Sequence, residues 1–117
     1  MSSSVKILHN PRCSKSRQTM QVIESKGVTP EIIEYLKAPP SYTELDEILE
    51  LLDLEPRELM RTHEKPYKEN GLDNPELSRE QLITAMVADP ILIERPIVIH
   101  AGRAKIGRPP ESVLDIL

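Results

Sequence analysis

The chain has 117 residues, a formal net charge of −4, 29% charged residues of both signs, and three Tyr with no Trp or Phe. That is the length of one compact domain with an aliphatic core, and the mixed charge is not that of a disordered chain. The acidic balance disfavours nucleic acid and membrane surfaces as partners, since both attract basic faces.

In chain order, Val5–His9 reads as a short buried strand stopped by Asn10-Pro11. Ser14–Lys26 reads as a helix with Met20 and Ile23 on one face and Gly27 at its C-terminal stop. Glu31–Leu36, with Ile32, Ile33 and Tyr35, reads as a second strand, so the first three elements predict a right-handed βαβ unit. Ala38-Pro39-Pro40 breaks the chain. Ser41-x-x-Glu44 then forms a capping box before Leu45, Ile48, Leu49 and Leu52 at helical spacing. Glu55-Pro56 opens a short helix through Met60, and Thr62–Leu77 lacks a period and predicts loops with a short helix. A second capping box, Ser78-x-x-Gln81, leads Leu82, Ile83, Met86 and Val87, and Asp89-Pro90 ends that helix. Ile97–Ile99 reads as a strand, Ala101-Gly102-Arg103 as a hairpin turn and Ala104–Ile106 as its partner. Pro109-Pro110 begins a last helix, Glu111–Leu117, with Val113, Leu114 and Leu117 inward. This order predicts an α/β fold: a thioredoxin-like, mixed four-stranded sheet in a single domain 1–117, with a helical insertion at roughly 41–90.

The one cysteine, Cys13, cannot close an internal disulfide, so the fold makes no demand on an oxidising compartment. No apolar run approaches the roughly 20 residues that cross a bilayer, and the first residues lack the apolar stretch of a signal peptide. A cytoplasmic protein with no membrane partner is expected.

Cys13 falls in the turn between the first strand and the first helix, where unpaired N–H groups and the helix dipole favour a thiolate or an oxyanion. From Lys6 to Arg17 the chain carries Lys6, Arg12, Lys15 and Arg17 and no acid, which suits a small anionic ligand. Lys15, Arg17 and His9 are expected to lower the thiol pKa and so raise its nucleophilic fraction. Lone cysteines are often just buried apolar residues; the polar, Pro-bounded surroundings of Cys13 argue for chemistry instead. Ser16 stands where a Cys-x-x-Cys motif would place a resolving thiol, and Thr19 where a phosphatase loop would place its arginine. Cys13 must therefore pass its oxidised or thiolated state to something outside the chain. His63 and His100 have no partner at ligand spacing, so no metal is expected. Arg57, Arg79 and Arg103 are read as surface charges, and the Met residues as core fillers.

The segment His9-Asn10-Pro11-Arg12-Cys13-Ser14-Lys15-Ser16-Arg17 resembles the active-site segment of the glutaredoxin-dependent arsenate reductase family. Glu58-Leu59-Met60-Arg61, Ile93-Glu94-Arg95-Pro96-Ile97-Val98 and Gly107-Arg108-Pro109 follow in the same order and spacing, and Tyr35-Leu36 with Pro39-Pro40 agrees. The resemblance spans nearly the whole chain. It implies that Cys13 attacks arsenate, that Arg61, Arg95 and Arg108 hold the oxyanion, and that Ser16 and Arg17 belong to the same substrate-binding segment. It further implies that His9 is the histidine associated with lowering the cysteine pKa, and that Pro96 is the cis-proline facing the redox cysteine. No bound cofactor is implied. Glutathione is the co-substrate and glutaredoxin the partner, acting on a monomer that reduces arsenate or a similar oxyanion.

Ser14-Lys15 stands where the best-known arsenate reductases have a glycine and a threonine, Arg12 replaces a small residue, and the chain stops at Leu117 where those enzymes carry a further tail. These departures fit a shorter, related subgroup with altered oxyanion choice. Two other functions fit the same residues: a monothiol reductase of glutathione mixed disulfides, from Cys13-x-x-Ser16, and a redox-responsive regulator binding RNA polymerase. The regulators of that kind commonly use a cysteine pair, which this chain lacks.

Overall fold

The structure is a computed structural model that describes residues 4–117. The chain divides into two compact units: the residues through Ala38 with Arg95–Leu117, and Pro39–Glu94.

In the first unit, β1 (Lys6–Leu8), α1 (Ser14–Ser25) and β2 (Glu31–Ile33) are followed by β3 (Ile97–His100), β4 (Arg103–Ile106) and a closing 3-10 helix, Pro110–Ile116. The sheet order is β2-β1-β3-β4, with β1 parallel to β2 and antiparallel to β3, and β3 antiparallel to β4. This is the mixed four-stranded, thioredoxin-like sheet that the order of elements predicts. Val5, Ile7 and Val98 on one face of the sheet pack with Ile23 of α1 and with Val113 and Ile116 of the closing helix. Each such side chain contributes about 1.5–3 kcal/mol when fully buried. The register has a direct consequence for the loops. Leu8 pairs with Ile97 and Ile97 with Ile106, so one row crosses three strands. The next residues outward, His9, Pro96 and Gly107, therefore leave the sheet at the same end, and Gly107 N–H still donates to the Pro96 carbonyl at 3.0 Å.

Three expectations are corrected here. β2 ends at Ile33 rather than Leu36. Its one neighbour, β1, stops at Leu8, so beyond Ile33 the chain turns, with the Lys37 and Ala38 N–H groups both donating to Glu34. The hairpin turn is two residues, not three. Ala101 and Gly102 have φ of 52° and 72°, the pair of positive values of a type I′ turn, and Arg103 already belongs to β4. The last helix has three residues per turn, so Pro110, Val113 and Ile116 share the buried side. Leu114, placed inward by an α-helical period, is 39% exposed.

The second unit holds α2 (Tyr42–Leu52), α3 (Pro56–Leu59), α4 (Lys65–Glu69), α5 (Arg79–Ala88) and a 3-10 turn, Pro90–Leu92. Both capping boxes form: Ser41 Oγ accepts from Glu44 N–H and Ser78 Oγ from Gln81 N–H, each at 3.1 Å, with the reciprocal bonds present. Leu45, Ile48 and Leu49 of α2 and Leu82, Ile83 and Met86 of α5 are buried. Arg57 and Arg79 are partly exposed and each has partners at the surface. Arg79 donates twice to Asp46 Oδ1, at 3.1 and 2.7 Å, and Arg57 reaches the carbonyls of Leu72 and Asn74. Among the described residues no helix is long and apolar enough to cross a membrane.

Candidate active site

The turn from β1 into α1 is built by Asn10. Its Oδ1 accepts the Arg12 N–H and its carbonyl the Cys13 N–H, both at 3.0 Å. That local alternative to sheet pairing is typical of Asn. Cys13 is the N-cap of α1, with extended φ −93° and ψ 123°, and no side-chain oxygen caps the first turn. The first-turn N–H groups are thus available to an anion. The thiol itself takes that place.

The thiol's ionisation follows from four neighbours. Burial works to raise the Cys13 pKa. The Ser16 N–H, the Arg95 charge, the Lys15 N–H and the Arg108 charge together outweigh it, and the net shift is downward. Arg108 Nη2 lies 3.8 Å from Cys13 Sγ, while its Nε donates to the Arg95 carbonyl at 2.8 Å. The two arginines therefore form one assembly beside the sulfur. Both precede cis prolines, Pro96 and Pro109; only the first is expected from the sequence.

The assembly is seated on α1 through Gly107. A Cβ there would collide with Thr19 Oγ1 and lie 2.8 Å from Pro96 Cγ. Thr19 is fully buried and donates to the Lys15 carbonyl at 2.8 Å. Neither Thr19 nor Gly107 stands out as a site residue in the sequence, because the approach joins segments far apart in the chain; the run Gly107-Arg108-Pro109 is the one signal. Gly107→Ala is expected to destabilise the fold by about 1–3 kcal/mol, the usual cost of overpacking. Urea unfolding would measure it; an unchanged midpoint would show that Thr19 and Pro96 yield freely.

The remaining expected site residues have the following places. His9 Nδ1 lies 2.5 Å from Ser16 Oγ, which also accepts the Asn10 N–H at 3.1 Å. Burial lowers the His9 pKa, Glu34 opposes this, and Arg17 adds to the lowering. Through Ser16 Oγ, His9 and Asn10 are thus joined to the first turn of α1. Arg17 Nη1 donates to the Pro11 carbonyl at 3.0 Å. Lys15 reaches the sulfur through its backbone N–H, not its exposed ammonium. The charges that favour the thiolate are those of Arg95 and Arg108. Arg61 belongs to the second unit, where it pairs with Glu64 at 2.6 Å. His100 Nδ1 meets the Ile116 carbonyl.

The chain is similar to known proteins along almost its whole length. A family model described as the ArsC family matches residues 8–116. The chain is 51% identical over 118 residues to the uncharacterized protein YfgD of Escherichia coli K12, covering 100% of this chain and 99% of that protein. It is 50% identical over 115 residues to an arsenate reductase of Haemophilus influenzae, covering 97% and 99%. A solved arsenate reductase from Vibrio cholerae superposes with a TM-score of 0.96 at 48% identity, covering 100% of both chains.

Proposed function

The chain belongs to the ArsC family, and on that premise we propose that it is an arsenate reductase whose nucleophile is the Cys13 thiolate. The single observation that carries the site assignment is the grouping of Cys13 Sγ with Arg108 at 3.8 Å and Arg95 beside it. Arsenate is a mixture of mono- and dianion at neutral pH, and a thiolate approaching it meets like-charge repulsion. Two guanidinium groups offset that repulsion and present paired N–H donors to tetrahedral oxygens. The sulfur bonds to arsenic as one arsenate oxygen leaves as water. Glutathione then bonds to the arsenic as a second oxygen leaves as water. A glutaredoxin thiolate attacks the glutathione sulfur, the sulfur–arsenic electron pair reduces arsenic(V) to arsenic(III), and water displaces Cys13 from the arsenic. Arsenite departs, Cys13 is regenerated and the two external thiols end as a disulfide. A chain with one cysteine requires such an outside reductant. The place of Arg61 in the oxyanion set rests on the motif resemblance alone, and Arg61→Ala tests it separately.

The test is NADPH oxidation by the purified protein with glutathione, glutaredoxin and glutathione reductase, with and without arsenate. Arsenate-dependent oxidation is the expected result. Its absence, with Cys13 still readily alkylated, would overturn arsenate as substrate and make a glutathione mixed disulfide the next to try.

A further inference from the structure

Thr19 lies on α1 beyond Cys13 and is fully buried. Burying a threonine in a helix costs side-chain freedom and the solvation of a hydroxyl, and alanine fills such a position more cheaply. The hydroxyl has a specific use. Thr19 Oγ1 donates to the Lys15 carbonyl at 2.8 Å. That carbonyl and the Ser16 N–H belong to one planar amide. Cys13 is the N-cap of α1, so Lys15 and Ser16 are the second and third residues of the helix. Those are the positions whose N–H groups an N-cap side chain accepts, and the Ser16 N–H is the strongest of the neighbours that favour the thiolate. Hydroxyl, amide and sulfur therefore form one chain: O–H to C=O, then N–H to S. A donor on the carbonyl side of an amide polarises it and strengthens its N–H, by about 10–30% per bond.

The same side chain meets the second support of the thiolate. A Cβ on Gly107 would collide with Thr19 Oγ1 and come within 3.1 Å of Thr19 Cγ2, so the glycine backbone lies directly against Thr19. The Gly107 N–H donates to the Pro96 carbonyl at 3.0 Å and the Arg108 N–H to the Ile106 carbonyl at 2.9 Å. This segment carries the guanidinium that lies 3.8 Å from Cys13 Sγ. One buried hydroxyl thus touches both the first-turn amide and the backbone that delivers Arg108.

We propose that Thr19 is a positioning residue for the Cys13 nucleophile, its hydroxyl polarising and aiming the Lys15–Ser16 amide at the sulfur while its side chain sets the seat of the Gly107–Arg108 segment. The proposal rests on the reading of Cys13 as the reactive thiolate, but not on the identity of the oxyanion. Its test is therefore the pH dependence of Cys13 alkylation by iodoacetamide in Thr19→Val, Thr19→Ala and Thr19→Ser, with a urea melt of each. Val puts a methyl group in place of the hydroxyl and crowds Gly107. Ala leaves room there and is the best helix former, so it provides a folded variant without the hydroxyl. Ser keeps the hydroxyl and loses only the methyl.

In the Val and Ala variants the alkylation midpoint is expected to rise by about half a pH unit, and kcat/KM for arsenate to fall about three- to tenfold, the scale of one neutral hydrogen bond. The Ser variant is expected to keep the wild-type alkylation midpoint even though loss of a buried methyl lowers its urea midpoint. A purely structural Thr19 would move the urea midpoints alone. An alkylation midpoint unmoved in the folded Ala variant, or moved as far in Ser as in Ala, would overturn the proposal. A wild-type midpoint no lower than that of free cysteine would overturn the thiolate reading with it, which separates the two failures. Absence of arsenate turnover alongside the expected midpoint shifts would remove the substrate assignment and leave the role of Thr19 standing.

Discussion

Cys13→Ser is expected to reduce arsenate-dependent NADPH oxidation to background while leaving the thermal melt close to that of the wild type. The N–H groups of Lys15 and Ser16 and the charges of Arg95 and Arg108 act on an ionised sulfur. A serine hydroxyl does not ionise near neutral pH even with that help, so the same surroundings have nothing to stabilise. The wild-type thiol provides the matching pH test. Alkylation by iodoacetamide follows the thiolate fraction. Because the Cys13 pKa is lowered, the rate should reach its plateau at lower pH than a free cysteine, whose pKa is about 8.5. It should fall only as the pH drops through the depressed value. A midpoint at or above that of free cysteine would mean that burial, which opposes the shift, outweighs the donors.

Arg108→Ala carries the second large effect. It removes a guanidinium 3.8 Å from the sulfur and the bond from Nε to the Arg95 carbonyl. Loss of one preorganised donor at a developing anion typically costs about 10²–10³ in rate, or roughly 3–4 kcal/mol. We expect kcat/KM for arsenate to fall by about that factor, and the alkylation midpoint to move upward because one source of the depressed pKa is gone. Arg108→Lys separates charge from geometry. An ammonium restores a positive charge but neither the paired donors nor the Nε bond, so the midpoint should recover while most of the turnover stays lost. Turnover near the wild-type level in Arg108→Ala would remove the oxyanion role from this residue.

Much of the fold is legible because its signals are local. The capping boxes at Ser41 and Ser78, the strand before Asn10-Pro11 and the Gly27 stop each concern residues within a turn of one another. The position of Cys13 at a helix start is legible for the same reason. What escaped depends on contacts across the chain. β2 is short because its neighbour is short, which no feature of Glu31–Leu36 records. The closing helix has the composition of an α-helix and winds more tightly so that Val113 and Ile116 meet the sheet. Nearness in sequence points to Lys15 and Arg17 as neighbours of the thiol. Arg95 and Arg108, whose charges favour the thiolate, are brought to it by strand pairing, and only the family resemblance points to them in the sequence. The seat of Gly107 against Thr19 has no sequence signature of its own.

The row Leu8–Ile97–Ile106 bears on how such a protein can change over generations. The spacing between the reactive sulfur and its cations is set where three segments leave the sheet, not by what decorates the loop between them. Arg12, Ser14 and Lys15 all face solvent. They are free to mutate in charge and size without displacing the nucleophile, so selectivity can drift while reactivity is inherited. A library randomised at those three positions should therefore retain an alkylatable Cys13 in most members and diverge in the anions they accept. Randomising Ile97, Ile106 and Gly107 instead should yield mostly inactive proteins.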